Sequence, residues 1–195
     1  MKSKYHIIWL LLLPLPVLAS LSSRLDKLQT YQANFLQQTY NAAGKVVQSG
    51  RGQVYLQRPG LFRWQTNLPT QQIIIAKNNT LWTYDVDLEQ VTKQPLTSAN
   101  DLATQILVGN SKRALNSFSI KQLDSNSYLL HPKAKSNLSA IKLRFSGNVM
   151  VTMEVKNSFD QLTKFKFSKI RFNKSISASK FSTRWPKSVD VVEAQ

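Results

Sequence analysis

Cysteine is absent from all 195 residues. That removes disulfides, thiolate metal sites and a cysteine nucleophile together, so stability has to come from packing. Histidine is nearly as scarce, at two. His6 lies in the N-terminal segment, and His131 precedes Pro132 with no second histidine to complete a metal site or activate a nucleophile, so a surface or capping role is expected for it. Six glycines form no phosphate-cradling loop, and no G-x-S-x-G occurs. Asp85, Asp87 and Glu89 gather three carboxylates without the glycine a calcium loop needs, and read as a solvated turn. Neither an enzyme nor a metal or other cofactor is expected. After the N-terminus there is no run of eighteen apolar residues, so nothing further reads as a membrane span.

Acidic residues are also few, ten against 26 lysines and arginines. Residues 20–132 hold 11 basic and 6 acidic side chains, and residues 133–195 hold 13 and 4. Such a surface suits an anionic partner, a lipid headgroup or an acidic protein face. Nucleic acid is not expected as a partner, because the chain reads as exported. Lys2 and Lys4 precede an apolar run from Ile7 to Leu13, and Val17-Leu18-Ala19 supplies a small-residue cleavage pattern. Residues 1–19 are therefore taken as a secretory signal peptide and residues 20–195 as a single domain. Ser20 stands where a bacterial lipoprotein would carry cysteine, so the exported chain is expected to be free of a lipid anchor.

What is present is a succession of strands. Leu21, Leu25 and Leu28 form one helical stripe, and from Tyr31 the period changes to two, with Tyr31, Ala33 and Phe35 on one side. Val46–Gln57 reads as a second strand, bent or bulged at Gly50 and Gly52. Further strands are expected at Phe62–Thr66, Gln71–Ala76, Leu81–Asp85, Gln90–Gln94, Phe118–Leu123, Tyr128–His131, Ile141–Phe145, Val149–Lys156, Thr163–Phe172 and Lys180–Trp185. Val149, Val151, Met153 and Val155 read as one face. Asp101 to Val108 interrupts the strands with a helical pattern stopped by Gly109, and Lys112–Ser117 adds a turn of helix. The outline is mainly β, one large antiparallel sheet with short helices. Phe62, Trp64, Ile73–Ile75, Trp82 and Tyr84 give its first half an aromatic and aliphatic surplus. Periodicity leaves open whether the covered face is filled core or an adjustable pocket.

The runs "RPGLFRW" at Arg58–Trp64 and "NTLWTYDVDLEQVT" at Asn79–Thr92 resemble the periplasmic outer-membrane lipoprotein carrier family. "SRLDKLQTYQANFLQQ", "GKVVQSGRGQVYLQRPG" and the closing "FSTRWPKSVDVV" resemble it too, with Thr183 and Ser188 departing from the usual aromatic and glycine. The resemblance implies an incomplete, unclosed β-barrel covered by short helices. It implies a monomeric periplasmic carrier that takes triacylated lipoproteins from an inner-membrane ABC transporter to an outer-membrane lipoprotein receptor. A carrier of glycolipids or other acylated molecules, or a basic membrane-surface-binding module, is the alternative. On this resemblance Arg58 holds the lid backbone, Phe62 docks to the transporter, and Trp64 lies on the apolar face. Leu102, Ile106 and Leu107 are expected beneath the lid, with Ile74 and Trp82 on the sheet opposite. Arg63 is read as a solvated strand residue.

Overall fold

The computed structural model describes residues 17–96, 104, 106–107 and 111–194. Helix α1 (Val17–Asp26) leads into β1 (Thr30–Tyr40), β2 (Val46–Gln57), β3 (Leu61–Leu68), β4 (Gln72–Lys77), β5 (Thr80–Asp85) and β6 (Gln90–Pro95). After the helical residues Thr104, Ile106 and Leu107 comes α2 (Ser111–Leu115). The chain continues with β7 (Phe118–Asp124), β8 (Ser127–Pro132), β9 (Leu138–Ser146), β10 (Val149–Asn157) and β11 (Leu162–Phe172). A 3-10 turn (Ala178–Phe181) precedes β12 (Asp190–Glu193).

Among the described residues twelve strands join one sheet in the order β12-β6-β5-β4-β3-β2-β1-β11-β10-β9-β8-β7. The junction of β1 with β11 joins the two halves, and β7 and β12 remain as edges, so the barrel is unclosed. Every pairing is antiparallel except that of β12 with β6. Alternation fills one face. Tyr31, Ala33 and Phe35 of β1, Val54 and Leu56 of β2, and Ile141, Leu143 and Phe145 of β9 share the inner cluster with Leu21, Leu25 and Leu28. The helix stripe thus caps the inner face at one end of the strands. Arg24 fixes it there, donating to the carbonyls of Ser125 (2.8 Å) and Gly147, in the turns after β7 and β9.

Glycine permits the bend in β2. A Cβ on Gly52 would stand 1.9 Å from the Gln65 carbonyl oxygen and 2.5 Å from the Phe35 ring. The register of β2 on β3 shifts between Arg51 and Gly52, and Phe35, the cross-strand partner of Gly52, covers the gap with its ring.

Two sequence expectations are corrected. In β10 a bulge between Met150 and Thr152 re-phases the alternation. Met150 and Met153 are the buried pair, and Val151 stands outside the core cluster. Lys180–Trp185 is not a strand: it begins in the 3-10 turn and continues without regular structure. Its apolar residues alternate because Phe181 and Trp185 dock onto the sheet's outer face, not because the segment pairs. Phe181 is buried, the Lys180 ammonium lies 4.8 Å from the Tyr55 ring centre, and Trp185 meets Tyr84 at 5.0 Å.

Candidate functional site

On the inner face a cavity of about 310 Å³ lies among Phe62, Trp64, Ile74, Leu107, Met153 and Phe165. Strand parity supplies these side chains. Phe62 and Trp64 point inward from β3, the β3–β4 register sets Ile74 beside Trp64, and Phe165 comes from β11 across the seam. Trp64 is the centre of the aromatic wall. It stacks on Phe35 at 4.1 Å and meets Phe165 edge-on at 5.0 Å. Gln37, Thr104 and Thr163 add polar groups to the lining. This is the composition of a ligand site, mostly apolar with a few polar groups, at the small end of the ~300–1,000 Å³ such sites span.

Arg58 holds the helical segment over this cavity. It follows β2 directly, and its own amide donates to the Gln29 carbonyl at 2.8 Å. Its guanidinium Nη2 donates to the Ile106 carbonyl oxygen, also at 2.8 Å. Burial lowers the arginine below its ordinary pKa, and the nearby Asp26 charge works the other way. A charge-assisted bond to a helix carbonyl in partly dry surroundings is strong for its size. Beneath it Ile106 and Leu107 are buried in the inner cluster.

The expected site residues are thus brought together unevenly. Trp64, Ile74 and Leu107 line one cavity, Ile106 is buried in the same inner cluster, and Arg58 bonds to its carbonyl. Leu102 lies outside the described residues. Phe62 is 3 % exposed and lines the cavity, so in this conformation its ring presents no surface for docking. Trp82 is on the opposite face. It pairs with Ile75, while Ile74 pairs with Thr83, and it lies beneath the Lys93 ammonium at 5.5 Å. Arg63 is not a solvated residue. It is half-buried on the outer face, where Nη2 donates to Gln65 Oε1 at 2.9 Å and Nη1 to the Lys180 carbonyl at 3.4 Å, and burial lowers its pKa.

Phe35 and Met153 were read only as face residues of their strands, and Phe165 was not singled out. The alternation Lys164-Phe165-Lys166-Phe167 was the available signal, since a strand that interleaves lysine with phenylalanine declares its inner side. Asp85 ends β5 at the head of the turn that carries Asp87 and Glu89, its Oδ1 accepting the Leu88 amide at 3.2 Å. Among the described residues no group of acids and histidines is arranged to hold a metal, and no helix is long and apolar enough to cross a membrane.

The sequence profile of the family described as "Outer membrane lipoprotein carrier protein LolA" matches residues 26–184. An outer-membrane lipoprotein carrier protein of Coxiella burnetii (strain CbuK_Q154) is 38% identical over 179 residues, 89% of this chain and 85% of its own. The chain belongs to this carrier family. Its counterpart in Legionella pneumophila (strain Corby), of the same description, is 36% identical over 178 residues, covering 89% and 88% of the two chains. Among solved structures, an uncharacterized conserved protein from Thermus thermophilus superposes with a TM-score of 0.56 at 14% identity. The match covers 90% of this chain and 98% of that one, a likeness of fold alone. The matched region includes both Arg58 and Ile106, whose carbonyl it binds.

Proposed function

We propose that this protein is a periplasmic carrier that shields the acyl chains of lipoproteins. It receives them from an inner-membrane ABC transporter and delivers them to an outer-membrane receptor, after export and removal of residues 1–19. Membership of the carrier family supports the cargo class. The observation that carries the reading is the apolar cavity with an arginine-held helix across it. Acyl chains lose about 0.8 kcal/mol per methylene when left in water, so a lipoprotein needs such a wall to cross an aqueous gap.

Loading has to displace the helical segment, because a cavity of about 310 Å³ is too small for several long chains. As the segment moves, the Arg58–Ile106 bond breaks and is re-formed on release. The bond opposes loading and favours unloading, so it tunes the balance between grip and delivery without an external energy source. Phe62 becomes accessible only in the opened form, which is where a docking role for it belongs. The test is purification from the periplasm with mass spectrometry of the bound material. Triacylated lipoprotein is expected; glycolipid in its place, or no acylated molecule, contradicts the reading.

A further inference from the structure

The sheet places the turns β1–β2, β3–β4 and β10–β11 and the β8–β9 connection at the end of the strands away from α1. The cavity opens toward that end. A polar vestibule of about 350 Å³ shares Gln37, Trp64 and Ile74 with it and ends at Leu68 and Pro69. Four apolar side chains stand exposed on these turns and the strand ends beside them: Val46 (40%), Val47 (53%), Leu68 (45%) and Phe159 (76%). Apolar residues scattered singly over a surface mean little. These border one end of the sheet, and lysines stand beside them: Lys45 next to Val46, and Lys133 and Lys135 on the β8–β9 connection that neighbours the Phe159 turn. The Ser158 amide donates to the Asn137 carbonyl at 3.0 Å, which ties the Phe159 tip and the two lysines into one lobe. Asp160 is neutralised by Lys156 at 2.8 Å.

We propose that this mouth-side rim seats on an anionic phospholipid surface, with the apolar tips entering the headgroup boundary and the lysines pairing with lipid phosphates. The pattern favours lipid over an acidic protein face. The apolar groups sit on separate hairpin tips rather than in one packed patch with a dry centre, which a stable protein interface needs, and apolar tips flanked by cations match an anionic bilayer boundary. Asp85, Asp87 and Glu89 lie on the β5–β6 side of the same end, so an anionic surface repels that corner and the molecule tilts onto its basic lobe. The proposal rests on the carrier reading for its purpose, since a mouth pressed to the bilayer lets acyl chains pass without meeting water. It does not need cargo for its test.

The experiment is flotation of the exported chain with vesicles of phosphatidylcholine alone and of phosphatidylcholine mixed with phosphatidylglycerol. Flotation is expected only with the anionic vesicles, weakening as salt rises. Phe159→Ser should lower the partition coefficient about tenfold, and Lys133→Gln and Lys135→Gln about fivefold each. Leu36→Ser, at a side chain 58% exposed on the outer face in mid-strand, should leave it unchanged. Absence of flotation, equal flotation with neutral vesicles, or an equal loss in Leu36→Ser overturns the proposal. So does a photo-crosslinker at position 159 that labels polypeptide and no lipid in cells. The two readings fail separately. Phe159→Ser should keep its affinity for a fluorescent fatty-acyl probe, and loss of the carrier reading would appear as no probe binding by a protein that still floats.

Discussion

In the proposed mechanism one arginine sets how firmly the cavity is closed. Arg58 gives a charge-assisted bond to the Ile106 carbonyl in a half-buried setting, worth about 1.5–3 kcal/mol when broken. Arg58→Leu removes the bond but keeps the apolar stem, so the opened form gains that much relative to the closed one. Loading should proceed while onward transfer slows roughly tenfold or more, with cargo accumulating on the variant; transfer at the normal rate would remove the latch from the mechanism. Arg58 and Trp64 stand inside a recognisable run, and their neighbourhood was legible. Trp82 was not, because the face of a strand residue depends on hairpin register. The strands leave only Asn78 and Asn79, both at positive φ, between Lys77 and Thr80. The register that follows pairs Ile74 with Thr83 and Ile75 with Trp82, so Trp82 shares the outer face with Ile75.

The elements were legible wherever alternation had a single cause. β2 occupies the expected span, and β9 shows its Ile141, Leu143 and Phe145 row unaltered. Legibility failed where two causes imitate each other. Phe181 and Trp185 alternate as a strand would, yet they pin an irregular strap to the outer face, and the terminal strand comes later as four residues parallel to β6. No local pattern distinguishes docking on a sheet from pairing within it. In β10 the phase was lost through a bulge, whose single extra residue leaves no composition signal. Gly52 shows the opposite case, a bend marked by its residue type. Gly52→Ala drives a Cβ into the Gln65 carbonyl and the Phe35 ring, and should cost about 3 kcal/mol or more. A fall in Tm of roughly 10 °C is expected by calorimetry. Gly44→Ala, where nothing stands within 4 Å and only a φ of 75° is strained, should cost about 1 kcal/mol. Equal losses at the two sites would mean that close packing of β2 on β3 does not set the curvature.

At the scale of the whole molecule, the described residues form a twelve-stranded sheet whose two faces differ in what covers them. The outer face is covered on one side by the strap and presents lysines on the other, where Lys142 of β9 and Lys164 of β11 flank Glu154 of β10. The inner face is filled by α1 at one end and left with a cavity toward the other. Composition announced a basic, cysteine-free β protein, but it could not apportion apolar surface between core and cavity, since both use the same side chains. Tryptophan makes the division measurable. Residues 20–195 hold Trp64, Trp82 and Trp185, of which Trp64 lines the cavity and the other two lie on the outer face. A brominated fatty acid quenches indole emission only at contact, so it reports which face takes the acyl chain. Saturable quenching is expected, vanishing in Trp64→Phe and persisting in Trp82→Phe and Trp185→Phe. Quenching that survives in Trp64→Phe, or that is absent from the unaltered protein, would contradict an acyl-binding inner cavity.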